Sequence, residues 1–425
     1  MNNISVNTSK GYSLISFYWI IFYFLHSIHL LFFRKDPQIG TLTILMVKIV
    51  YLCIVIIYFS RIRPLDRNYM KLSNIPFVLI LFLGWMFLSI LWTAANFFSA
   101  FVYWLTSMAD VFTILFFLKT FEIEKVLEHT LKGIIVGGVI LAIIALFNGF
   151  NSVGRLGNDE FLHPNVLGNL LSMSLIGSVV CMYEYRYRYK GFRVVDVVVL
   201  SFLMVCLFLT ISKTAIIAFT VTMLVLILFS RLTFKTKLFL ILFFTGVFYI
   251  VYRYFIGDYI TDYIENQRLI STLTGRTIIW QYTLYMIKER LLMGYGFLAF
   301  REVGPQVAAV RIGSAHNDFL NVIFNFGAIG LSLYLFVFIT YIKKLLTCIF
   351  YFREKYEIET LMALLYFTYF SVRGLTEANL TTISFNLQLL TILMYLLTYI
   401  LKKTSEDGID IKSEFFNLKT RQNYQ

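Results

Sequence analysis

The side chain best suited to proton transfer in this sequence is His316, in Ser314-Ala-His-Asn-Asp-Phe-Leu320. An imidazole titrates near neutrality, so it can take a proton from a hydroxyl and give it back. Asn317 and Asp318 follow it and are candidates to orient it. Asp318 also suits the positive end of a helix opening there. Taken singly, His316 is better read as a hydrogen-bonded interfacial histidine; its company changes that reading. Arg276 lies in Thr274-Gly-Arg-Thr-Ile-Ile-Trp280, where interfacial anchoring is the competing explanation. Lys213 lies in Leu209-Thr-Ile-Ser-Lys-Thr-Ala215, flanked by the oxygens of Ser212 and Thr214. A charge near membrane depth costs about 2.5–3.5 kcal/mol, which makes function the default reading; a snorkelling lysine is the alternative. Arg155 begins a stretch that ends in His163-Pro-Asn165. Pro164 suits a first helical turn. The free N–H groups of that turn favour an anion, and Arg155 would complete the site. His163 and Asn165 read as caps or polar contacts. Arg268, Arg301 and Arg311 are further cations, Arg311 being a weaker candidate for anion binding. Glu377, in Arg373-Gly-Leu-Thr-Glu377, either binds hydroxyl groups or pairs with an arginine. Gly294-Tyr-Gly296 is explained as well by a helix C-cap as by a ligand loop.

The elements that must position these groups are membrane helices. Hydrophobic residues make up 59% of the 425 positions and charged residues only 14%. A soluble domain carries about 25% charged residues, so a soluble enzyme, a disulfide scaffold and a disordered chain are excluded. Twelve apolar stretches are long enough to cross a bilayer: 13–33, 40–59, 75–92, 97–118, 130–150, 164–183, 194–211, 214–230, 237–255, 328–350, 358–376 and 384–401. They are continuously apolar rather than alternating, which marks helices and not barrel strands. The division is 1–255 for spans one to nine, 256–327 for an outer catalytic segment, 328–401 for spans ten to twelve, and 402–425 for a polar tail. Helices are expected at 277–290 and 316–326 inside the outer segment.

Positive loops set the sides. Arg61, Arg63, Arg67 and Lys71 fall in one loop, Arg186, Arg188, Lys190 and Arg193 in a second. Arg231, Lys235 and Lys237 fall in a third, and Lys343, Lys344, Arg353 and Lys355 in a fourth. The positive-inside rule puts these loops and both termini in the cytoplasm. Much of the formal charge of +13 is therefore topology, and nucleic acid is not an expected partner. His316 and the candidate cations then share the outer side. The acidic triplets Glu122/Glu124 and Glu357/Glu359 fall inside, so the outer face suits a phosphate-bearing substrate held without metal. His26 and His29 share a helix face, but no third ligand accompanies them. Cys53, Cys181, Cys206 and Cys348 show no CxxC spacing, so neither a disulfide framework nor a zinc site is expected.

The assembled pattern resembles the O-antigen ligase and O-antigen polymerase superfamily. It comprises Gly275-Arg-Thr-x-x-Trp280, a Gly-x-Gly, His316-Asn-x-x-Leu320 and Phe326-Gly-x-x-Gly330, with Arg155, His163-Pro-Asn-x-x-Gly168 and Ser212-Lys-Thr upstream. Members commonly carry Ser-Arg where this chain has Ser212-Lys213. The paired Arg-x10-Gly motifs of some polymerases are not reproduced at Arg155 and Arg301. The resemblance implies an all-α, multi-helical, GT-C-like membrane glycosyltransferase of the bacterial cytoplasmic (inner) membrane. Its implied donor is a glycan on undecaprenyl diphosphate, with membrane lipid around it and no cofactor. A chain-length regulator and a flippase are the implied protein partners.

In that setting Arg155, Lys213, Arg276 and Arg311 would hold the diphosphate. His316 would be the general base, Asn317 or Asp318 would orient it, and Glu377 would serve the sugar or an arginine. Polymerase is favoured over ligase because nothing identifies a lipid A core acceptor. A polysaccharide exporter or flippase is the rival of another class, but alternating access predicts two related halves and midplane charges. A scaffold or sensor would leave the outer cations and His316 without a purpose.

Overall fold

The computed structural model describes residues 11–25, 37–61, 77–152, 154–157, 163–189, 191, 193–251, 253, 276–307, 310–352, 354–378 and 385–406. His26, His29, Arg63, Arg67, Lys71, Lys190, Arg268 and Arg353 lie outside the described residues, as do positions 254–275 and 407–425 and the side chain of Arg311.

The described chain is almost wholly helical. Its helices are α1 (Gly11–Leu25), α2 (Pro37–Arg61), α3 (Phe77–Leu88), α4 (Phe97–Thr120), α5 (Ile123–Asn148), α6 (Pro164–Tyr189) and α7 (Val194–Leu209). They continue as α8 (Lys213–Phe229), α9 (Phe234–Val251), α10 (Arg276–Ile287), α11 (Phe300–Val303), α12 (Asp318–Thr347), α13 (Glu357–Gly374) and α14 (Phe385–Glu406). A two-residue hairpin, β1 (Gln306–Val307) and β2 (Val310–Arg311), pairs antiparallel with Gln306 opposite Arg311. Every apolar stretch of the sequence contains one of these helices, the first as far as Leu25. By length and apolar composition α4, α5, α6 and Asp318–Phe352 are long enough to cross a membrane; α1, α3, α7, α8 and Leu42–Tyr58 of α2 are shorter apolar helices.

Helix ends follow local chemistry. Asn96 caps α4 by accepting from the Ser99 N–H, a contact worth about 1 kcal/mol over alanine. α5 starts at Ile123, about two turns before its apolar run. Lys125 and Lys132 pair with Glu128 along its polar face at i,i+3 and i,i+4, and these charges hid the first turns from a hydropathy reading. The helices expected at 277–290 and 316–326 are present, the first as α10 with a 3-10 turn at Lys288–Arg290. The second is the opening part of α12, which breaks at Gly327 (φ 67°, ψ −171°) before the span continues.

Gly327 stands back to back with Gly294. A Cβ on Gly327 would lie 2.1 Å from the Leu292 carbonyl oxygen, and one on Gly294 would lie 2.5 Å from the Gly327 nitrogen. Only glycine admits that approach together with a positive φ.

α6 is the central helix, buried along most of its length. It packs on α5, α7, α8 and α13. Small residues such as Ser174 and Gly177 let these backbones come close, as membrane interfaces favour. Elsewhere α2 packs on α4, α12 on α3, and α10 on the start of α12. A sealed polar cluster lies between α1, α2, α4 and α14. The Tyr18 hydroxyl donates to Asp110 Oδ1 at 2.8 Å, Lys48 donates to Oδ2, and Gln388 bonds the same carboxylate.

Candidate functional site

The start of α6, the turn between α7 and α8, the end of α13, the start of α10 and the loop ahead of α12 converge on Glu377. Backbone geometry sets this up. The α7–α8 turn bends at Ile211 (φ 49°), an outlier for a β-branched residue. Gly168 of α6 sits against that turn, and a Cβ there would be 2.7 Å from the Ser212 Cβ. The turn exposes the Thr210 carbonyl, which accepts from Arg155 Nε at 2.9 Å. Arg155 Nη2 donates to Asn165 Oδ1 at 2.8 Å. Asn165, one residue after Pro164, donates from Nδ2 to Glu377 Oε1 at 3.2 Å.

Two further segments reach the same carboxylate. Arg276, the first residue of α10, donates from Nη2 to Glu377 Oε1 at 2.7 Å. Trp280, one turn on, donates its indole N–H to the Ala315 carbonyl at 2.9 Å, which clamps α10 to the residue before His316. His316 has φ 48°, a sparsely populated conformation of the kind that clusters at functional sites. Its Nδ1 lies 2.9 Å from Glu377 Oε2. Asn317 caps α12 through the Leu320 N–H and also donates to the Leu375 carbonyl at 3.0 Å. It thereby ties the helix start to the segment that carries Glu377.

The electrostatics follow from these contacts. Burial pushes the Glu377 carboxyl up, but the His316 hydrogen bond and the charges of Arg373, His316 and Arg276 pull it down from the ordinary 4.5 to about 2. Glu377 is therefore ionised and can only accept. His316 Nδ1 must carry the proton of the shared bond, and Nε2 is left as the ring's other nitrogen. Lys213 feels the charges of both Arg155 and Arg276. Arg373, in the last turn of α13, is buried, acts on Glu377 through its charge and reaches the Asn165 carbonyl at 3.5 Å. Arg276 and Arg373 thus act on the carboxylate directly, Arg155 is joined to it through Asn165, and Lys213 lies within the field of Arg155 and Arg276. The side chain of His316 is 30% exposed and that of Arg276 15%, against 9% for Glu377.

The structure brings together Arg155, Lys213, Arg276, His316, Asn317 and Glu377. Asp318 is buried and sits beside Tyr334, while the His316 ring pairs with Glu377. Arg301 lies on Tyr103 of α4, with Nη1 2.8 Å from the hydroxyl and the guanidinium 4.7 Å from the ring centre. Arg311 occupies β2. His163 Nδ1 accepts from the Asn165 N–H at 3.2 Å. Sequence reasoning gave Arg373 no role and left Asn165 as a cap or contact. The available signal for Arg373 was an arginine ending an apolar run, four residues before Glu377. Beside the cluster, an open groove of about 270 Å³ runs between α12 and α13, lined by Asp318, Phe319, Tyr334, Phe338, Phe367 and Leu375 among others.

A family model described as O-antigen ligase matches residues 197–335. Over those residues the chain is similar to the O-antigen ligase family, which supports the superfamily resemblance of its motifs. Members of this superfamily are glycosyltransferase-like enzymes. The match contains Lys213, Arg276, His316 and Asn317, while Arg155, Asn165 and Glu377 flank it. No curated protein matches the chain. The apolar helices and the family match agree on a multi-pass membrane protein.

Proposed function

We propose that this protein is a polysaccharide polymerase that works without metal. It transfers a glycan from undecaprenyl diphosphate onto a lipid-linked repeat unit at the outer face of the cytoplasmic membrane. The observation that carries the proposal is Glu377 bridging Arg276 and His316, with Arg155 joined through Asn165. The acceptor hydroxyl attacks the anomeric carbon of the donor. The C–O bond to the diphosphate breaks and its electron pair leaves with the lipid diphosphate. Arg155, Lys213 and Arg276 stabilise that charge as it develops, often the largest single contribution to such a reaction. Nε2 of His316 takes the hydroxyl proton, while Glu377 fixes the ring and stabilises the imidazolium. Asn317 holds the loop, and the lipid tail lies in the apolar groove between α12 and α13. Arg311 remains a candidate for the diphosphate, and Asp318 acts on the groove side.

Depth supports an outer-face site. The 18 residues of α13 span about 27 Å, close to the roughly 30 Å of hydrocarbon. Glu377 follows one end. Glu357 and the Arg231 cluster mark the other, which is the positive, cytoplasmic side in a GT-C-like arrangement of twelve spans with both termini inside. The ligase reading, transfer to a lipid A core or other acceptor, is favoured by the description of the matching family. The test is a transfer assay with purified protein and a lipid-linked repeat unit as donor and acceptor. Longer lipid-linked glycan, undiminished by a chelator, is the expected result. Product only with a lipid A core supports ligase. Activity restored only by magnesium or manganese rejects the metal-free mechanism, and vesicle translocation without new glycosidic bonds means an exporter.

A further inference from the structure

Asn165 stands between the Arg155 guanidinium and the Glu377 carboxylate. Its Oδ1 accepts from Arg155 and its Nδ2 donates to Glu377. Its main chain is fixed as well: the N–H donates to His163 and the carbonyl accepts from Arg373. The second position of α6, immediately after Pro164, leaves the side chain little freedom to leave this place. In a water-poor site an arginine and a carboxylate within reach close into a paired fork. An inserted carboxamide prevents that closure, because it satisfies the guanidinium with a neutral oxygen and the carboxylate with a neutral N–H. Among short side chains only asparagine offers acceptor and donor on one planar group. Aspartate would neutralise Arg155 and face Glu377 with a like charge. Alanine would open the gap.

We propose that Asn165 is a positioning residue. It keeps the Arg155 charge turned toward a bound diphosphate and leaves Glu377 committed to Arg276 and His316. The inference rests on the glycosyl-transfer reading and adds a cause: the site discriminates between its own carboxylate and a ligand phosphate by means of an uncharged spacer. Asn165 acts through Arg155, so its effect on anion binding must vanish when Arg155 is absent. A residue that merely supports the fold would act equally in both backgrounds.

The experiment is a double-mutant cycle on the purified full chain in detergent, read as the dissociation constant of inorganic pyrophosphate. Asn165→Ala and Asn165→Asp should each weaken pyrophosphate at least tenfold beside an intact Arg155, Asp the more. In the Arg155→Ala background the further change caused by Asn165→Ala should stay below twofold. In turnover, Asn165→Asp should raise the donor KM by a larger factor than it lowers kcat. Equal weakening in both backgrounds, or no pyrophosphate binding by the unaltered protein, overturns the inference. If a variant lowers the melting temperature, Asn165→Gln keeps the test open. Partial recovery of pyrophosphate affinity supports the spacer, and its failure in a stably folded variant counts against it. Pyrophosphate binding with the expected cycle but no glycan transfer would overturn the enzymatic reading and leave the spacer standing.

Discussion

Two buried carboxylates, Asp110 and Glu377, are built from similar parts and put to different uses. Asp110 lies in the middle of α4 with Lys48, Tyr18 and Gln388, and the Lys48 and Asp110 side chains are 5% and 2% exposed. Its partners come from helix interiors, and Ile21, Phe22 and Tyr51 line the small void beside it. Glu377 sits just beyond a helix end. Its partners come from helix starts and loops, and the imidazole among them reaches solvent. In the first case one cation meets one carboxylate and the pair fixes how four helices register. In the second, Arg276, Arg373 and His316 act on one carboxylate, and Arg155 joins it through Asn165. A buried ion pair is thus no sign of chemistry by itself; a cluster of cations around an imidazole with an access path is.

The contrast breaks most sharply at His316. Its replacement by Ala should cut transfer per folded molecule about 10²–10⁴-fold, a larger loss than the missing Glu377 contact takes from stability; polymer of normal length and amount in cells would remove the imidazole from the mechanism. At the other carboxylate the loss should be structural. Asp110→Ala leaves Lys48 buried and unpaired, at a cost of about 3–5 kcal/mol. Thermal melting in detergent should show that loss, with transfer per folded molecule unchanged. Lys48→Met with Asp110→Leu should restore most of the stability, and a double variant as unstable as the single would contradict a purely structural pair.

Titration sharpens the comparison further. Glu377 is held at about 2 against an ordinary 4.5. The stability it contributes is fully present above the ordinary value and is lost as pH falls through the folded one. The difference in stability between the unaltered protein and Glu377→Gln should therefore be flat above pH 4.5 and shrink toward pH 2. A difference that grows on acidification would show that the carboxylate is not the stabilised form. The smallest effect belongs to Arg301, which stacks on Tyr103 away from Glu377. Exposed contacts of this kind are worth about 0.5–1 kcal/mol, and Arg301→Ala should leave transfer within about threefold in the same assay.

Hydropathy made the helices legible because a bilayer penalises any other backbone state. The same reading put His316 and Arg276 together in the one long segment between spans, 256–327. It could not show that Glu377 reaches back 61 positions to His316, since that pairing depends on which helix ends are neighbours. Lys48 and Asp110 went unnoticed for a related reason: each is a single charge averaged away inside a long apolar window, and only packing shows that they meet. The turn of Asp318 toward Tyr334 was equally hidden, because a residue that suits a helix start by charge can still point inward. The edges of α5 shifted where polar i,i+4 pairs, rather than apolar residues, support the first turns.

The back-to-back glycines have a genetic consequence. Each faces main-chain atoms of the other strand of the elbow, Leu292 and Met293 on one side and Asn325 on the other. A crowded side chain can be trimmed by a second mutation elsewhere; a crowded peptide group cannot. Selection for revertants of Gly327→Ala should return the original codon and no distant suppressors, so this elbow is a place where the lineage has no detour.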